Sequence, residues 1–232
     1  MSTRTYKSKN LTYTLAIIFF SLVAACSKTV SETDPYEKYN RKVFYFNTKV
    51  DKFIIRPVAK VYDTVIPDQV EGRITNVFDN LDEITTIGND ILQLELMQAI
   101  SDSWRFFVNS TFGVLGIFDV ADEMGLDKNT QRFSGTLAKW GYSDSPYLVL
   151  PFLGSSTVYD TISYPVDGWY LSPWKQIEPR SKAEDLFALK AINYRSAMLP
   201  YDKNIDKAFD SYIFVRNAFL QRRSQITNQD TD

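Results

Sequence analysis

The sequence predicts a mainly α-helical single domain, and three observations carry that expectation. Apolar residues recur at steps of three and four along most of the chain; alternation at period two is scarce; no internal repeat or long linker divides it. The length of 232 residues suits one ordinary domain. A composition of 44% hydrophobic and 23% charged residues fits a folded chain. A formal charge of −2 offers no electrostatic basis for nucleic-acid binding.

The first 25 residues read as a signal segment. Arg4, Lys7 and Lys9 precede an apolar run over residues 11–25, LTYTLAIIFFSLVAA, short of the about 20 residues that span a bilayer. The run ends Val23-Ala24-Ala25-Cys26, which is similar to a bacterial lipobox. Cys26 is then the lipidation site; the plain alternative is a buried structural cysteine. Several acyl chains at about 0.8 kcal/mol per buried methylene anchor stably where one does not. Ser27, in place of the aspartate that in many enteric bacteria retains lipoproteins in the inner membrane, favours the outer membrane. Removing residues 1–25 takes three of the 26 basic groups and none of the 28 acidic ones, leaving a formal charge of −5. Residues 26–33 are then the lipidated cysteine and a polar tether, and the folded body covers residues 34–223.

Asp34-Pro35-x-Glu37 predicts a helix start, with Asp34 as cap, Pro35 in the first turn and Glu37 closing a capping box. The stripe Tyr36, Tyr39, Val43, Phe46, Val50 and Phe53 carries that helix to an end near Arg56-Pro57. A second start at Pro67-Asp68 leads through Val70, Ile74, Val77, Leu81 and Ile84, and one or two further helices fall within residues 83–110. Residues 112–125, FGVLGIFDVADEMG, have no polar face over Phe112–Phe118, so they form either a core hairpin or a lipid-facing one, with Gly113 and Gly116 permitting a turn or close approach. Phe133, Leu137 and Trp140 mark a short helix ending at Gly141. Tyr147–Gly154 has the composition of a short strand, but Pro151 demotes it to an edge or an extended loop. The aromatic, proline-punctuated stretch from Tyr164 to Pro179 suits either the headgroup level of a membrane or a core. Helices over residues 182–196 and 205–223 close the body, and residues 224–232 read as a polar, frayed tail.

The chemistry available is narrow. With no histidine and a single cysteine, the chain offers no imidazole base for a catalytic triad and no His/Cys cluster for zinc. No metal or cofactor is expected. Aromatic residues reach 15%, an excess that points to interfaces or membrane boundaries.

Several ordered blocks then make a resemblance specific. The lipobox, Asp34-Pro35-x-Glu37-x-x-Asn40-Arg41, Arg56-Pro57-Val58-Ala59 and Arg105-Phe106-x-x-Asn109-Ser110-x-x-Gly113-x-x-Gly116-x-x-Asp119-x-Ala121 resemble the MlaA (VacJ) family of outer-membrane lipoproteins. Arg132-Phe133-x-Gly135-Thr136-Leu137-x-x-Trp140-Gly141, Pro146–Pro151 and Val215-Arg216 through Arg222 continue the likeness over nearly the whole mature chain. The chain departs from the family at Ser145, Ser155, Tyr159 and Ser211, where the family often has glycine, proline, arginine and proline.

The resemblance implies an outer-membrane lipoprotein anchored on the periplasmic side: a helical ring in the periplasmic leaflet around an amphipathic channel. Phospholipids misplaced in the outer leaflet enter the channel, pass to a periplasmic lipid carrier of the MlaC type and return to the inner membrane, preserving lipid asymmetry. It also implies trimeric porins as neighbours. Asn40, Arg41, Phe46 and Asn47 are candidate channel or control residues, with Phe46 in the core and Asn47 merely exposed as the alternative. Phe112, Gly113, Gly116 and Phe118 are the candidate membrane hairpin. Two rival readings, a lipid hydrolase and a structural scaffold, remain; no G-x-S-x-G nucleophile turn supports the first.

Overall fold

The computed structural model describes residues 34–142 and 144–229. The signal segment, Cys26 and the whole of the tether lie outside them. Among the described residues no helix is long and apolar enough to cross a membrane.

The first helix, α1 (Glu37–Val50), opens three residues beyond Asp34, and Glu37 accepts from Arg41 Nε at 2.7 Å instead of closing a capping box. It does not stop at Arg56-Pro57. A π-turn over Asp51–Ile55 leads straight into α2 (Arg56–Val65), the Arg56 N–H bonding the Asp51 carbonyl. Widening the turn by one residue accommodates Pro57, which has no N–H to give, so the helix continues through the proline.

Helix α3 (Asp68–Leu92) follows Pro67 and runs unbroken past Ile84, where the sequence suggested a boundary. It ends instead in a Schellman turn: Leu94 N–H bonds the Ile91 carbonyl, Glu95 N–H bonds the Asp90 carbonyl, and Leu94 adopts φ 62°. Glycine usually fills that position, and its absence is why the sequence gives no stop signal. The chain reverses into α4 (Leu96–Thr111). Cross-links Asn80 to Ser110, Glu83 to Arg105 and Asn76 to Ile117 pair residues of nearly constant number sum, so α3 and α4 lie antiparallel.

Residues 112–118 form a wound turn, not a β-hairpin, with Val114, Leu115 and Gly116 at φ 53°, 59° and 89°. Helix α5 (Val120–Glu123) follows, capped by Asp119 accepting from the Asp122 N–H. Helix α6 (Phe133–Lys139) closes at Gly141, φ 97°, as its sequence predicts.

Strand β1 (Tyr147–Leu150) pairs antiparallel with β2 (Gly154–Thr157), from Tyr147↔Thr157 to Leu150↔Gly154. Pro151 sits in the turn and removes no ladder bond. The partner strand, Gly-Ser-Ser-Thr, has no apolar alternation to announce it. Helix α7 (Val158–Val166) is capped by Thr157 and passes through Pro165 into a π-turn over Asp167–Leu171, repeating the device of α1–α2.

A short 3₁₀ turn at Pro173–Gln176 precedes α8 (Arg180–Ala197). The single helix expected over 205–223 is two, α9 (Asp202–Lys207) and α10 (Ser211–Gln229). Asp210 Oδ1 takes the N–H groups of Tyr212 and Ile213 and restarts the helix, so Ser211 stands without strain where the family often carries proline. The backbone is helical as far as Gln229.

Packing inverts the usual order. Among the described residues 8 apolar and 17 polar or charged side chains are buried. An apolar cluster of buried residues joins Tyr147, Val149 and Tyr212 with Val43, Phe44 and Phe219. On α4 the buried positions Asp102, Arg105 and Asn109 share one face, while Ile100, Trp104 and Phe107 face outward. The expected apolar stripes exist as helix faces, but several of their members, Tyr39, Phe46, Phe53 and Val70 among them, turn away from the interior. In water such an arrangement exposes apolar surface that would ordinarily be buried.

Candidate functional site

A cavity of about 1190 Å³ opens between the start of α4 (Glu95, Gln98), the segment Lys128–Arg132, the first turn of α6, α7 with its π-turn, and α10 (Phe219, Arg222, Arg223). Apart from Gly135, Tyr164 and Phe219, its lining is polar or charged. It exceeds the ~300–1,000 Å³ that engulfs a drug-sized molecule.

A buried polar network fixes the wall behind it. Asn89 Nδ2 donates to Asp167 Oδ1 at 3.1 Å and Asn89 Oδ1 accepts from Thr136 at 2.9 Å. Gln93 Nε2 donates to Thr136 at 3.2 Å, and the Phe133 N–H donates to Asp167 at 3.1 Å. Burial raises the Asp167 carboxyl despite these donors and the nearby positive charge of Arg132.

Deeper, Asn129 Nδ2 bridges two fully buried carboxyls, Asp90 at 3.3 Å and Asp102 at 3.0 Å. Asp90 is held well above the usual carboxylate range by burial and then by the neighbouring Asp102. Glu83, 3.3 Å from Arg105 Nε, is pushed up to about 7 by burial and then by Asp102. Arg105 also meets Asp119 at 3.2 Å and the Leu126 carbonyl. Among the described residues no group of three or more His, Cys, Asp or Glu side chains could hold a metal.

Around the cavity rim most charges are matched. Lys128 pairs with Asp79, Lys139 with Glu95, and Arg223 with Asp160 at 3.4 Å.

The candidate control residues of α1 line no part of this cavity. They form a joint. Asn40, fully buried, donates to the Tyr147 carbonyl at 3.0 Å and accepts from the Val149 N–H at 2.8 Å. Asn47 repeats the motif on the Leu150 carbonyl at 2.8 Å and the Phe152 N–H at 2.9 Å. Seven helical residues advance about 10.5 Å and three strand residues about 10 Å, so two asparagines seven apart match successive stations of β1. Phe46 is 44% exposed, so it is not core; it meets Phe152 edge to face at 5.3 Å. Arg41 pairs with Glu37 and with Asp210 at 2.9 Å while lying 4.5 Å over the Tyr212 ring.

At the candidate membrane hairpin, Phe112, Val114, Leu115 and Phe118 are all exposed, which removes the core-hairpin alternative. Gly113 and Gly116 are buried and moor the turn. A Cβ on Gly113 would lie 2.1 Å from the Phe118 carbonyl oxygen, and one on Gly116 would lie 2.5 Å from Asn80 Cβ. In the Tyr164–Pro179 stretch the residues divide: Tyr170 is 80% exposed, whereas Trp174 packs on Phe78 at 5.8 Å.

None of the candidate site residues read from the sequence lies on the cavity wall. Arg132 and Arg222 stood inside quoted family blocks, but a polar wall drawn from separated segments has no period to betray it.

The sequence profile of the MlaA lipoprotein family matches residues 32–225. An uncharacterised protein of Rickettsia conorii is 37% identical over 191 residues, covering 82% of this chain and 76% of its own. The intermembrane phospholipid transport system lipoprotein MlaA of Escherichia coli K12 is 32% identical over 217 residues, covering 90% and 85% respectively. A solved structure reported as the structural basis for maintenance of bacterial outer membrane lipid asymmetry superposes with a TM-score of 0.73 at 30% identity, over 84% of this chain and all of that one. With a profile match over most of its length and a described fold that agrees, the chain belongs to the MlaA lipoprotein family.

Proposed function

We propose that this protein removes phospholipids misplaced in the outer leaflet of the outer membrane and hands them intact to a periplasmic carrier, maintaining lipid asymmetry. The observation that carries the proposal is a cavity lined mostly by polar and charged residues in a helical body many of whose large apolar side chains are exposed. A lipid head crossing hydrocarbon unaided loses its hydration, at several kcal/mol for each unpaired polar group. A polar wall replaces that hydration, while outward apolar faces keep the body among acyl chains. In this reading the protein is held by lipid on Cys26, sits as a ring in the periplasmic leaflet around its channel, and contacts trimeric porins and a carrier of the MlaC type. The names of the relatives support transport, and no bond in the lipid needs to break.

Two measurements test this. A strain lacking the gene accumulates surface phospholipid and recovers with the intact chain; unchanged asymmetry overturns the proposal. Purified lipoprotein given labelled phospholipid yields intact lipid on the carrier. Release of free fatty acid would instead identify a hydrolase, and neither outcome a scaffold.

A further inference from the structure

We infer that Arg132 and Arg222 together form a phosphodiester-binding pair on the cavity wall. The inference rests on the transport reading for its physiological ligand but not for its chemistry. Four cations and three carboxylates line the cavity, a surplus of one positive charge. Two of the cations, Lys128 and Arg223, already have carboxylate partners, as has Glu95. Asp167 takes the Asn89 amide and the Phe133 N–H; Arg132 acts on it through space without forming an ion pair. Arg222 has no ion pair among the described residues.

Both residues line the cavity from different elements, Arg132 from the residue before α6 and Arg222 from α10. A guanidinium presents a fixed fork of donors that grips a phosphate oxygen pair, which an ammonium cannot do. A phosphodiester carries one negative charge and no more, matching the surplus. A lipid headgroup and a free glycerophosphodiester share this chemistry. Helices α6 and α10 also touch each other, so a ligand bridging the two arginines would brace the wall at their contact.

The test uses full-length lipoprotein in non-ionic micelles and two probes. Glycerophosphoglycerol reports the pair alone by calorimetry, and extraction of labelled phosphatidylglycerol from vesicles reports the lipid. Arg132→Gln and Arg222→Gln should each weaken glycerophosphoglycerol binding about 10-fold, the worth of one charge-assisted hydrogen bond, with unchanged unfolding midpoints. The lysine variants should recover only part of that loss. Lys60→Gln, which removes an exposed charge elsewhere on α2, should leave binding as it was. Binding within twofold of the parent in the Arg132→Gln/Arg222→Gln double variant, or no binding by the parent, overturns the pair. Should the parent bind the soluble probe yet extract no lipid, the pair stands as a site for free phosphodiesters and the transport reading fails.

Discussion

Asn40 is the residue whose loss should cost this fold most for its size. It is fully buried and satisfies a carbonyl and an N–H of β1 at 3.0 and 2.8 Å. Asn40→Ala strands both in a dry joint, at about 1–3 kcal/mol each, for a total of about 3–5 kcal/mol. Out of the ~5–15 kcal/mol that holds a domain, that is a large share. Asn47→Ala removes the same two bonds in a half-buried setting where water re-satisfies the strand, so about 1–2 kcal/mol is expected. Asn40→Asp makes a second contrast: the carboxylate keeps the Val149 N–H but cannot donate to the Tyr147 carbonyl. Its stability should therefore recover as acid protonates it. Denaturant titration in non-ionic micelles reads all three as midpoint shifts at constant slope. Equal losses for Asn40→Ala and Asn47→Ala, or a loss below about 1 kcal/mol for the first, would refute the idea that these asparagines seat the hairpin.

Three further outcomes follow from burial, backbone and exposure. Glu83 is raised from 4.5 to about 7 in the fold, so its protonated form contributes stability that is complete below pH 4.5 and lost as pH climbs to about 7; the loss is about 3 kcal/mol. Glu83→Gln should flatten the fall in unfolding free energy over that window, and an unchanged slope would assign it to other groups. Gly116→Ala forces a side chain onto φ 89° and against Asn80, costing at least about 1–2 kcal/mol. Gly72→Ala, in a helix with open space around it, should gain about 0.5–1 kcal/mol; thermal midpoints compare the two. Leu115→Asp, at a side chain 72% exposed, should leave stability within about 0.5 kcal/mol. In a Cys26→Ala background the same change should lower flotation with vesicles about 10-fold, since burying a leucine is worth about 1.5–3 kcal/mol; equal flotation would place the 112–118 turn away from the bilayer.

How far the sequence could be read depended on whether the feature was periodic. The helical stripes were legible, as was the Gly141 stop, because each has a local cause. Arg56-Pro57 misled because a π-turn absorbs a proline that an α-helix would not tolerate. The stop at Leu94 was silent because a leucine holds a conformation that glycine normally marks. Strand β2 was silent because Gly-Ser-Ser-Thr has no apolar alternation and takes its conformation from backbone pairing with β1. More telling is the inversion of faces: a stripe of Ile100, Trp104 and Phe107 reads the same whether it meets a core or a lipid. Only the burial of Asp102, Arg105 and Asn109 on the opposite side decides between them. The cavity wall was the least legible part, since its residues come from five segments related only by the fold.

The most direct measurement places a photo-crosslinking side chain at Ser134, on the cavity wall, and at Lys38, on the exposed face of α1, in living cells. Intact phospholipid captured at Ser134 and absent at Lys38 is the predicted result. Lipid captured at Lys38 alone, with Ser134 bare, would contradict passage through the cavity.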